Sequence, residues 1–294
     1  MNALPFFQNI KNALTAGGTG GLTWHLHASL SQKKWQFTRD EIHKELMKGL
    51  KITAPQKIQL SKPEQSQVET IKSKELVLIG ASAGWMMSTP WLEEFSLINA
   101  YDIDPLSSVL FHINHGKALK RKGIKVKFHT LDAIHHLDQV LSSHPNAYIW
   151  FDNVLGQHRI RLRNADLANA QLKIIQLRLK GRVWGSVHDL YSGPSTLKEH
   201  LGVQEYPKSV SVVRLDNNTE NQARVLYNSQ EMGLEKGRQT FLKELGASRA
   251  NGAWLDHETS NLFPVKTQLT WTGWAFKPGY YHCLEMGWVT PTLK

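Results

Sequence analysis

The 294-residue sequence predicts an α/β fold: a doubly wound, mostly parallel sheet with a C-terminal antiparallel hairpin and an N-terminal helical extension. Three observations predict it. From residue 74 onward, short apolar runs alternate with helical stretches, which is the pattern of parallel βαβ units. Near the C-terminus, two β-rich runs flank the turn sequence Lys277-Pro278-Gly279, as in a hairpin. Before residue 52, three segments have the apolar spacing of helices.

The predicted sheet contains five strands that are separated by four helical stretches. The strands are residues 75–80, 97–104, 125–131, 147–153 and 182–189, and the helical stretches are residues 85–95, 105–123, 134–143 and 165–180. Each strand is a short run rich in apolar and β-branched residues, as expected for a sheet that is covered on both faces. This order predicts an open, doubly wound sheet.

The N-terminal region is predicted to form a helical lid and a linker over residues 1–72, and the sheet domain spans residues 73–294. Helices are expected at residues 4–14, 22–35 and 37–51, and Thr38 and Glu41 have the spacing of a capping box for the third helix. The glycine run at residues 17–21 lacks both a preceding strand and the Lys-Ser/Thr ending of a P-loop, so we interpret it as a flexible connection.

The sequence also indicates whether to expect a membrane span, a secretory signal, a disulfide or a metal site. No run approaches the roughly 18 apolar residues of a membrane span, and the N-terminus is too polar for a secretory signal, so a cytoplasmic location is expected. A single cysteine, Cys283, excludes an internal disulfide and a cysteine-based metal cluster, and packing is its expected role. His25 and His27 fall on a predicted helix, where they point away from one another, so no metal site is expected.

The net charge of +10 leaves nucleic acid open as a partner. Two basic runs carry much of it: residues 117–127, with five lysines and one arginine, and residues 159–163, with three arginines. Neither run is interleaved with aromatic residues, as single-strand binding surfaces usually are. We interpret the first run as a solvated helix face, and a small-molecule partner is favoured over nucleic acid.

A loop of small residues follows the first predicted strand. Gly80, Ala81, Ser82 and Gly84 join the strand to the next helical stretch. Such a loop lets main-chain amides approach a ligand closely. Alone it is a weak signal, because small-residue turns between strands and helices are common in α/β proteins.

A second motif strengthens the signal. Asp102 and Ile103 follow about 20 residues later, at the end of the second strand, and a carboxylate there can accept both hydroxyls of a ribose. The alternative role of helix cap fits Asp104 better, because Pro105 follows it.

The third and fourth strands also end in acidic residues. Asp132 can accept a hydrogen bond from an exocyclic amine, and Ala133 can contact a flat base. Asp152 and Asn153 end the fourth strand, at the edge where open α/β sheets bind ligands. Four successive strands are thus followed by a small-residue loop or an acidic residue, and this order predicts a ligand site at one edge of the sheet.

Taken together, residues 74–193 resemble the class I, or Rossmann-like, S-adenosylmethionine-dependent methyltransferases. The resemblance implies that Gly80, Ser82 and Gly84 cradle the methionine part of the cofactor, that Asp102 binds the ribose and that Asp132 lies near the adenine. The family's closing antiparallel strand pair is similar to the predicted hairpin. Ser82 stands where the family usually has its middle glycine, and Leu78 replaces an acidic residue that is frequent two places before the first glycine.

The resemblance favours methyl transfer to a small-molecule acceptor. His188, Asp189 and Tyr191, predicted at the end of the fifth strand, are the catalytic candidates, and His188 suits a general base. Tryptophans could line the acceptor pocket, although most are expected in the core; these are Trp24, Trp35, Trp85 and Trp91.

Other functions remain open from the sequence. They are an RNA or protein methyltransferase, an aminocarboxypropyl transferase that uses the same cofactor, and a non-catalytic S-adenosylmethionine-binding module. The absence of a Pro-Pro-Tyr pattern after the fourth strand lowers the expectation of methylation on base or glutamine amines. An NAD-dependent dehydrogenase is a weaker alternative, because Ser82 breaks the G-x-G-x-x-G spacing.

Overall fold

A computed structural model describes residues 21–53, 74–162, 164–197, 207–215, 224–248, 250 and 252–291. The predicted helix at residues 4–14, most of the glycine run and the linker after residue 53 lie outside the described residues. Within the described ranges, no helix is both long and apolar enough to cross a membrane.

The fold is α/β, as predicted, and its centre is a single mixed sheet in the strand order β3-β2-β1-β4-β5-β11-β10-β6-β7-β8, with β9 paired to β5. The strands are β1 (Glu75–Ile79), β2 (Leu97–Asp102), β3 (Lys125–Thr130), β4 (Tyr148–Asp152), β5 (Trp184–Pro194), β6 (Val210–Arg214), β7 (Arg224–Tyr227), β8 (Gln230–Gly233), β9 (Leu255–Asp256), β10 (Gln268–Lys277) and β11 (Tyr280–Val289).

The first five strands pair in parallel around β1 and β4. β1 and β4 are buried along nearly their whole length, because helices cover both faces of the sheet. Their carboxyl ends therefore meet at one edge, where a doubly wound sheet holds its ligand.

The other half of the sheet is antiparallel. β10 and β11 form a hairpin, and β11 pairs with β5 over the full length of β5. The prediction that the fifth strand ends at Asp189 is wrong. The strand continues to Pro194, because β11 supplies hydrogen-bond partners as far as Tyr280.

The helices are α1 (Gly21–Ser31), α2 (Gln36–Thr53), α3 (Thr89–Leu92), α4 (Leu106–Phe111), α5 (Lys117–Arg121), α6 (Leu137–Ser143), α7 (His158–Leu162), α8 (Ala165–Arg178) and α9 (Leu234–Glu244), and a π-helical turn, His112–Gly116, joins α4 to α5. The predicted helix at residues 85–95 shrinks to the single turn α3. Its start is set by Ser88, whose side chain caps Trp91, and by Pro90 in the first turn.

The predicted capping box at Thr38 is also wrong. α2 begins at Gln36, so Thr38 lies inside the helix and is fully buried. Its hydroxyl donates a 2.9 Å hydrogen bond to the carbonyl of Gly273 in β10. The side chain of Thr38 therefore makes a tertiary hydrogen bond and does not cap the helix.

The N-terminal helices cover one face of the sheet. Trp35, Ile42 and Leu46 are fully buried in the same apolar cluster as Leu78, and Trp35 donates from Nε1 to the carbonyl of Ala275 at 3.0 Å. A second cluster, which includes Cys283 as an apolar packing residue, fills the opposite face. α1 and α2 therefore form one wall of the space at the carboxyl ends of the parallel strands.

Candidate functional site

A cavity of about 1070 Å³, including its open mouth, lies at the carboxyl ends of β1, β2, β3 and β4. Eight of the predicted cofactor residues line it: Gly80, Ser82, Asp102, Ile103, Asp132, Ala133, Asp152 and Asn153. Ala81 and Gly84 belong to the same loop but do not line the cavity.

The main chain of the loop after β1 is strained at Ser82. Gly80, Ser82 and Gly84 all have left-handed backbone angles, with φ values of 76°, 46° and 68°. A Cβ atom on Gly80 would lie 2.9 Å from the carbonyl oxygen of Asp152, so a side chain there has no space. Ser82 adopts a conformation that favours glycine, and such strain tends to persist at functional sites.

The carboxylate of Asp102 clamps this loop. Its Oδ2 accepts a 2.7 Å hydrogen bond from the main-chain N–H of Ser82, and its Oδ1 accepts one of 2.8 Å from that of Asp104. Burial outweighs these two hydrogen bonds and raises the pKa of Asp102. Each oxygen keeps a second lone pair, so the group is oriented and still able to accept from a ligand.

Asp104 joins the N-terminal helix to the sheet. Its carboxylate accepts hydrogen bonds from the main-chain N–H groups of Gly21 and Leu106 and from Nε2 of His25. Burial alone would raise the pKa of Asp104, but these hydrogen bonds outweigh it and lower the pKa. The same carboxylate therefore serves the first turns of α1 and α4, where unpaired N–H groups favour negative charge.

His25 continues this connection into the loop. Its Nδ1 accepts a 3.0 Å hydrogen bond from the indole of Trp85 while its Nε2 donates to Asp104. His27 instead bonds the carbonyl of Phe276, so the two histidines point to different partners. No group of three metal-ligating side chains occurs in the part of the chain that the structure describes.

Asp132 is held at the far end of the cavity. Its Oδ2 pairs with Arg161 at 2.7 Å, and its Oδ1 accepts from the main-chain N–H groups of Ile134 and His135. Burial raises the pKa of Asp132, but Arg161 and these hydrogen bonds lower it by more. Ala133 and Ile134 add apolar surface beside it.

Asp152 is the exception among the acidic residues of the cavity. It is buried, and its Oδ1 has no hydrogen-bond partner among the described residues. Burial, together with the nearby charge of Asp102, raises the pKa of Asp152 to about 8. A buried carboxyl group without a partner is costly, which is expected where a ligand supplies the missing contact.

Asn153 braces the end of β4 against β5. Its φ of 53° is left-handed, its main-chain N–H donates to the carbonyl of Val187 at 2.8 Å, and its Oδ1 accepts from the N–H of Asp189 at 3.0 Å. These bonds fix the turn that carries Asp152.

The three catalytic candidates lie within β5 and do not line the cavity. His188 is fully buried, with Nδ1 3.1 Å from the hydroxyl of Ser186 and Nε2 3.3 Å from Glu285. Asp189 accepts a 2.7 Å hydrogen bond from His282, and burial raises the pKa of Tyr191. The extension of β5 places all three along the strand, away from its end.

Sequence reasoning missed part of the cavity wall. Trp274 and Leu284 come from the hairpin, Ile42 comes from α2, and Met86 comes from the loop before α3. Of the tryptophans considered from the sequence, Trp24 and Trp85 line the cavity, and Trp35 and Trp91 are fully buried in the core. No local sequence pattern distinguishes the two tryptophans that line the cavity from the two in the core.

Among the described side chains of the two basic runs, only that of Arg161 lines the cavity. Lys120, Arg121, Lys122, Lys125 and Lys127 are exposed on α5, the turn after it and the edge strand β3. Exposed lysines on an edge strand discourage pairing with another chain, which is a structural use of this charge.

Comparison with known proteins gives little further information. No family model matches this chain, and no curated protein matches it. One solved structure that it matches is a Listeria monocytogenes protein, described provisionally as an S-adenosylmethionine-dependent methyltransferase. The match has 11% identity and covers 73% of this chain and 90% of the other, with a TM-score of 0.26, which is too low to show a common fold.

Proposed function

We propose that the chain binds S-adenosylmethionine in this cavity and transfers its methyl group to a small-molecule acceptor. The observation that carries the proposal is the convergence of Gly80, Asp102, Asp132 and Asp152 on one cavity, from the ends of β1, β2, β3 and β4. The family resemblance assigns Gly80, Asp102 and Asp132 to the cofactor, and Asp152 ends the fourth strand at the same edge of the sheet.

Each end of the cavity suits a different part of that cofactor. The clamped carboxylate of Asp102 can accept from ribose hydroxyls, while Ala133 and Ile134 offer an apolar surface to a base beside Asp132. Gly80 lines the cavity, and the absence of a Cβ atom lets its left-handed main chain pack closely against the end of β4. Asp152 also lines the cavity, at the end of β4.

The bound cofactor supplies a methyl group that its positive sulfur already activates. The task of the protein is therefore alignment of the acceptor and removal of a proton where the acceptor carries one. In this proposal Asp102 and Asp132 hold the nucleoside, and Trp24 and Trp85 add aromatic surface to the cavity wall.

Product analysis tests the proposed reaction. The protein is incubated with S-adenosylmethionine and a pool of small-molecule acceptors, and the sulfur products are separated. Methyl transfer yields S-adenosylhomocysteine in step with a methylated product, whereas aminocarboxypropyl transfer yields methylthioadenosine. Binding without either product would contradict the proposed reaction and favour a non-catalytic module.

A further inference from the structure

We propose that the protein binds to the surface of an anionic phospholipid membrane through the outer sides of α1, α4 and α5. This inference goes beyond the proposed function and does not depend on it. Three features of these helices support it: exposed aliphatic side chains, a shared face of the sheet, and basic residues without acidic neighbours in the sequence.

The outer side of α1 carries three exposed leucines. Leu22, Leu26 and Leu30 follow at intervals of four residues, so they lie on one side of the helix, and Leu30 is 79% exposed. The inner side is buried through His25 and Ala28. Leucines on the outer side of a surface helix indicate a contact with another apolar surface.

The helix that follows β2 has a similar outer side. Val109 in α4 and Ile113 in the π-helical turn are exposed, and Ile113 is 70% exposed. Lys117 and Arg121 continue the same interval of four residues into α5, where both are exposed. The exposed side of this helix therefore changes from aliphatic to basic along its length.

The outer sides of these helices face the same side of the molecule. Ala28 of α1, Phe111 of α4 and Leu119 of α5 belong to one apolar cluster, which covers one face of the sheet. Since their inner sides are buried on the same face, their outer sides point away from it.

Asp104 joins the two apolar stretches. Its carboxylate accepts hydrogen bonds from the main-chain N–H groups of Gly21 and Leu106, the first residues of α1 and α4. Leu22 follows Gly21, and the exposed Ile103 precedes Asp104, so both lie at this junction. Ile103 also lines the cavity, so the proposed membrane-binding surface reaches the rim of the cavity.

The segments that form this surface contain basic residues and no acidic ones beyond Asp104. No aspartate or glutamate occurs in residues 1–39 or in residues 105–131, although the chain has 25 acidic residues. Basic residues beside exposed aliphatic ones are typical of helices that lie on anionic membranes. The second range carries six exposed basic residues: Lys117, Lys120, Arg121, Lys122, Lys125 and Lys127.

The aliphatic residues favour a membrane over a nucleic acid. Phosphates attract lysine and arginine in either partner, but surfaces that bind single-stranded nucleic acid also use aromatic side chains for stacking. The large apolar residues exposed on this surface are leucine, isoleucine and valine, which are buried by lipid at the boundary between headgroups and acyl chains. An anionic membrane therefore provides a partner for both kinds of side chain.

A second exposed apolar stripe, on the other face of the sheet, provides a comparison. Ile174 and Leu177 are exposed on α8, but acidic residues lie near them: Asp166 is in the same helix, and Asp138 pairs with Arg178. We therefore expect no binding of α8 to an anionic membrane.

Vesicle flotation tests the inference with the native protein. The vesicles contain phosphatidylcholine alone or phosphatidylcholine mixed with phosphatidylglycerol, and the fraction of protein that floats is measured against lipid concentration. We expect binding at least about tenfold tighter with phosphatidylglycerol, and weaker at high salt, because salt screens the attraction. Equal binding to both kinds of vesicle, or binding to neither, would overturn the inference.

A matched pair of variants tests the apolar contact. Leu26→Ser with Leu30→Ser removes two exposed side chains from α1, and we expect the affinity for the anionic vesicles to fall at least about tenfold. Ile174→Ser with Leu177→Ser makes the same change on α8 and should alter the affinity less than about twofold. Equal losses in the two variants would contradict the assignment to α1.

A second pair of variants tests the charge. Lys120→Gln with Arg121→Gln removes two charges from α5, and we expect the affinity for the anionic vesicles to fall at least about fivefold. Lys173→Gln with Lys180→Gln removes two charges from exposed sites in and after α8 and should have a smaller effect. Full affinity in the α5 variant would contradict the assignment to the basic residues.

If neither kind of vesicle binds, two further measurements identify another partner for this surface. Retention of single-stranded RNA that depends on Lys120 and Arg121, and not on the leucines, would assign the surface to nucleic acid. A dimer in sedimentation equilibrium that is lost with Leu30→Ser would assign it to a second copy of the chain. Either result overturns the inference.

Discussion

The main-chain N–H of Ser82 donates a 2.7 Å hydrogen bond to Oδ2 of Asp102. This bond joins the loop after β1 to the end of the neighbouring strand β2, and it holds Ser82 in a left-handed conformation. The two motifs that stood apart in the sequence therefore form one unit. Changes to either residue are expected to alter both the loop and the cavity.

Asp102→Ala removes the acceptor for Ser82 and the carboxylate offered to a ribose. We expect the affinity for S-adenosylhomocysteine to fall by at least about tenfold, as for loss of a hydrogen bond to a charged group. Asp102→Asn keeps an oxygen for Ser82, so it should retain the melting temperature of the native protein better than Asp102→Ala. Calorimetry and thermal unfolding measure the two effects, and unchanged affinity in Asp102→Ala would mean that Asp102 does not bind the ligand.

Gly84→Ala introduces a clash inside the loop. The new Cβ atom would lie 2.4 Å from Nε2 of His115, a buried ring that itself bonds the carbonyl of Gly84. Gly123→Ala is the matched control, because its φ of 73° is similar and no atom lies within 4 Å of the new Cβ.

Both glycine variants carry the cost of a left-handed alanine, about 1 kcal/mol. We expect Gly84→Ala to lose about 1–3 kcal/mol more in free energy of unfolding, measured by denaturant titration. Equal losses in the two variants would show that the space around Gly84 relaxes freely.

The raised pKa of Asp152 predicts that the stability of the folded protein depends on pH. Its pKa is raised from 3.8 to about 8 in the folded chain, so the folded state holds a proton that the unfolded state has lost between these values. Stability without ligand should therefore fall as the pH rises from about 4 to about 8. Asp152→Asn should make this decline shallower and should unfold at a higher temperature than the native protein at pH 8. The same decline in both proteins would contradict the assignment.

Asp104→Ala tests the attachment of α1. It removes the acceptor shared by Gly21, His25 and Leu106, so two helix N-termini lose a partner. We expect the free energy of unfolding to fall by about 1–3 kcal/mol. Relative to the native protein, amide hydrogen exchange should speed up more in α1 (Gly21–Ser31) than in α8 (Ala165–Arg178), which packs on the other face of the sheet. Unchanged exchange in α1 would show that its apolar contacts alone hold it on the sheet.

The parallel part of the fold could be predicted because its signals are local. β1, β2 and β4 are short, largely apolar runs. The glycine after β1 and the acidic residues at the ends of β2, β3 and β4 are read directly from the sequence. Parallel strands bring such ends to one edge, so the meeting of Gly80, Asp102, Asp132 and Asp152 follows from order alone. The α/β class is confirmed on this basis.

The remaining features depend on contacts between distant segments. β5 extends past Asp189 because β11 pairs with it, and Thr38 is taken into α2 because Gly273 accepts its hydroxyl. Trp274 reaches the cavity from the hairpin for the same reason. Hydrophobic periodicity and capping preference depend on only a few neighbouring residues, so neither can predict these contacts between distant segments.

Calorimetric titration of the native protein with S-adenosylhomocysteine, and separately with NAD, is the most direct test of the central claim. We predict saturable binding of S-adenosylhomocysteine at one site per chain, weakened in Asp102→Ala, and no comparable binding of NAD. Binding of NAD without binding of S-adenosylhomocysteine would contradict the account.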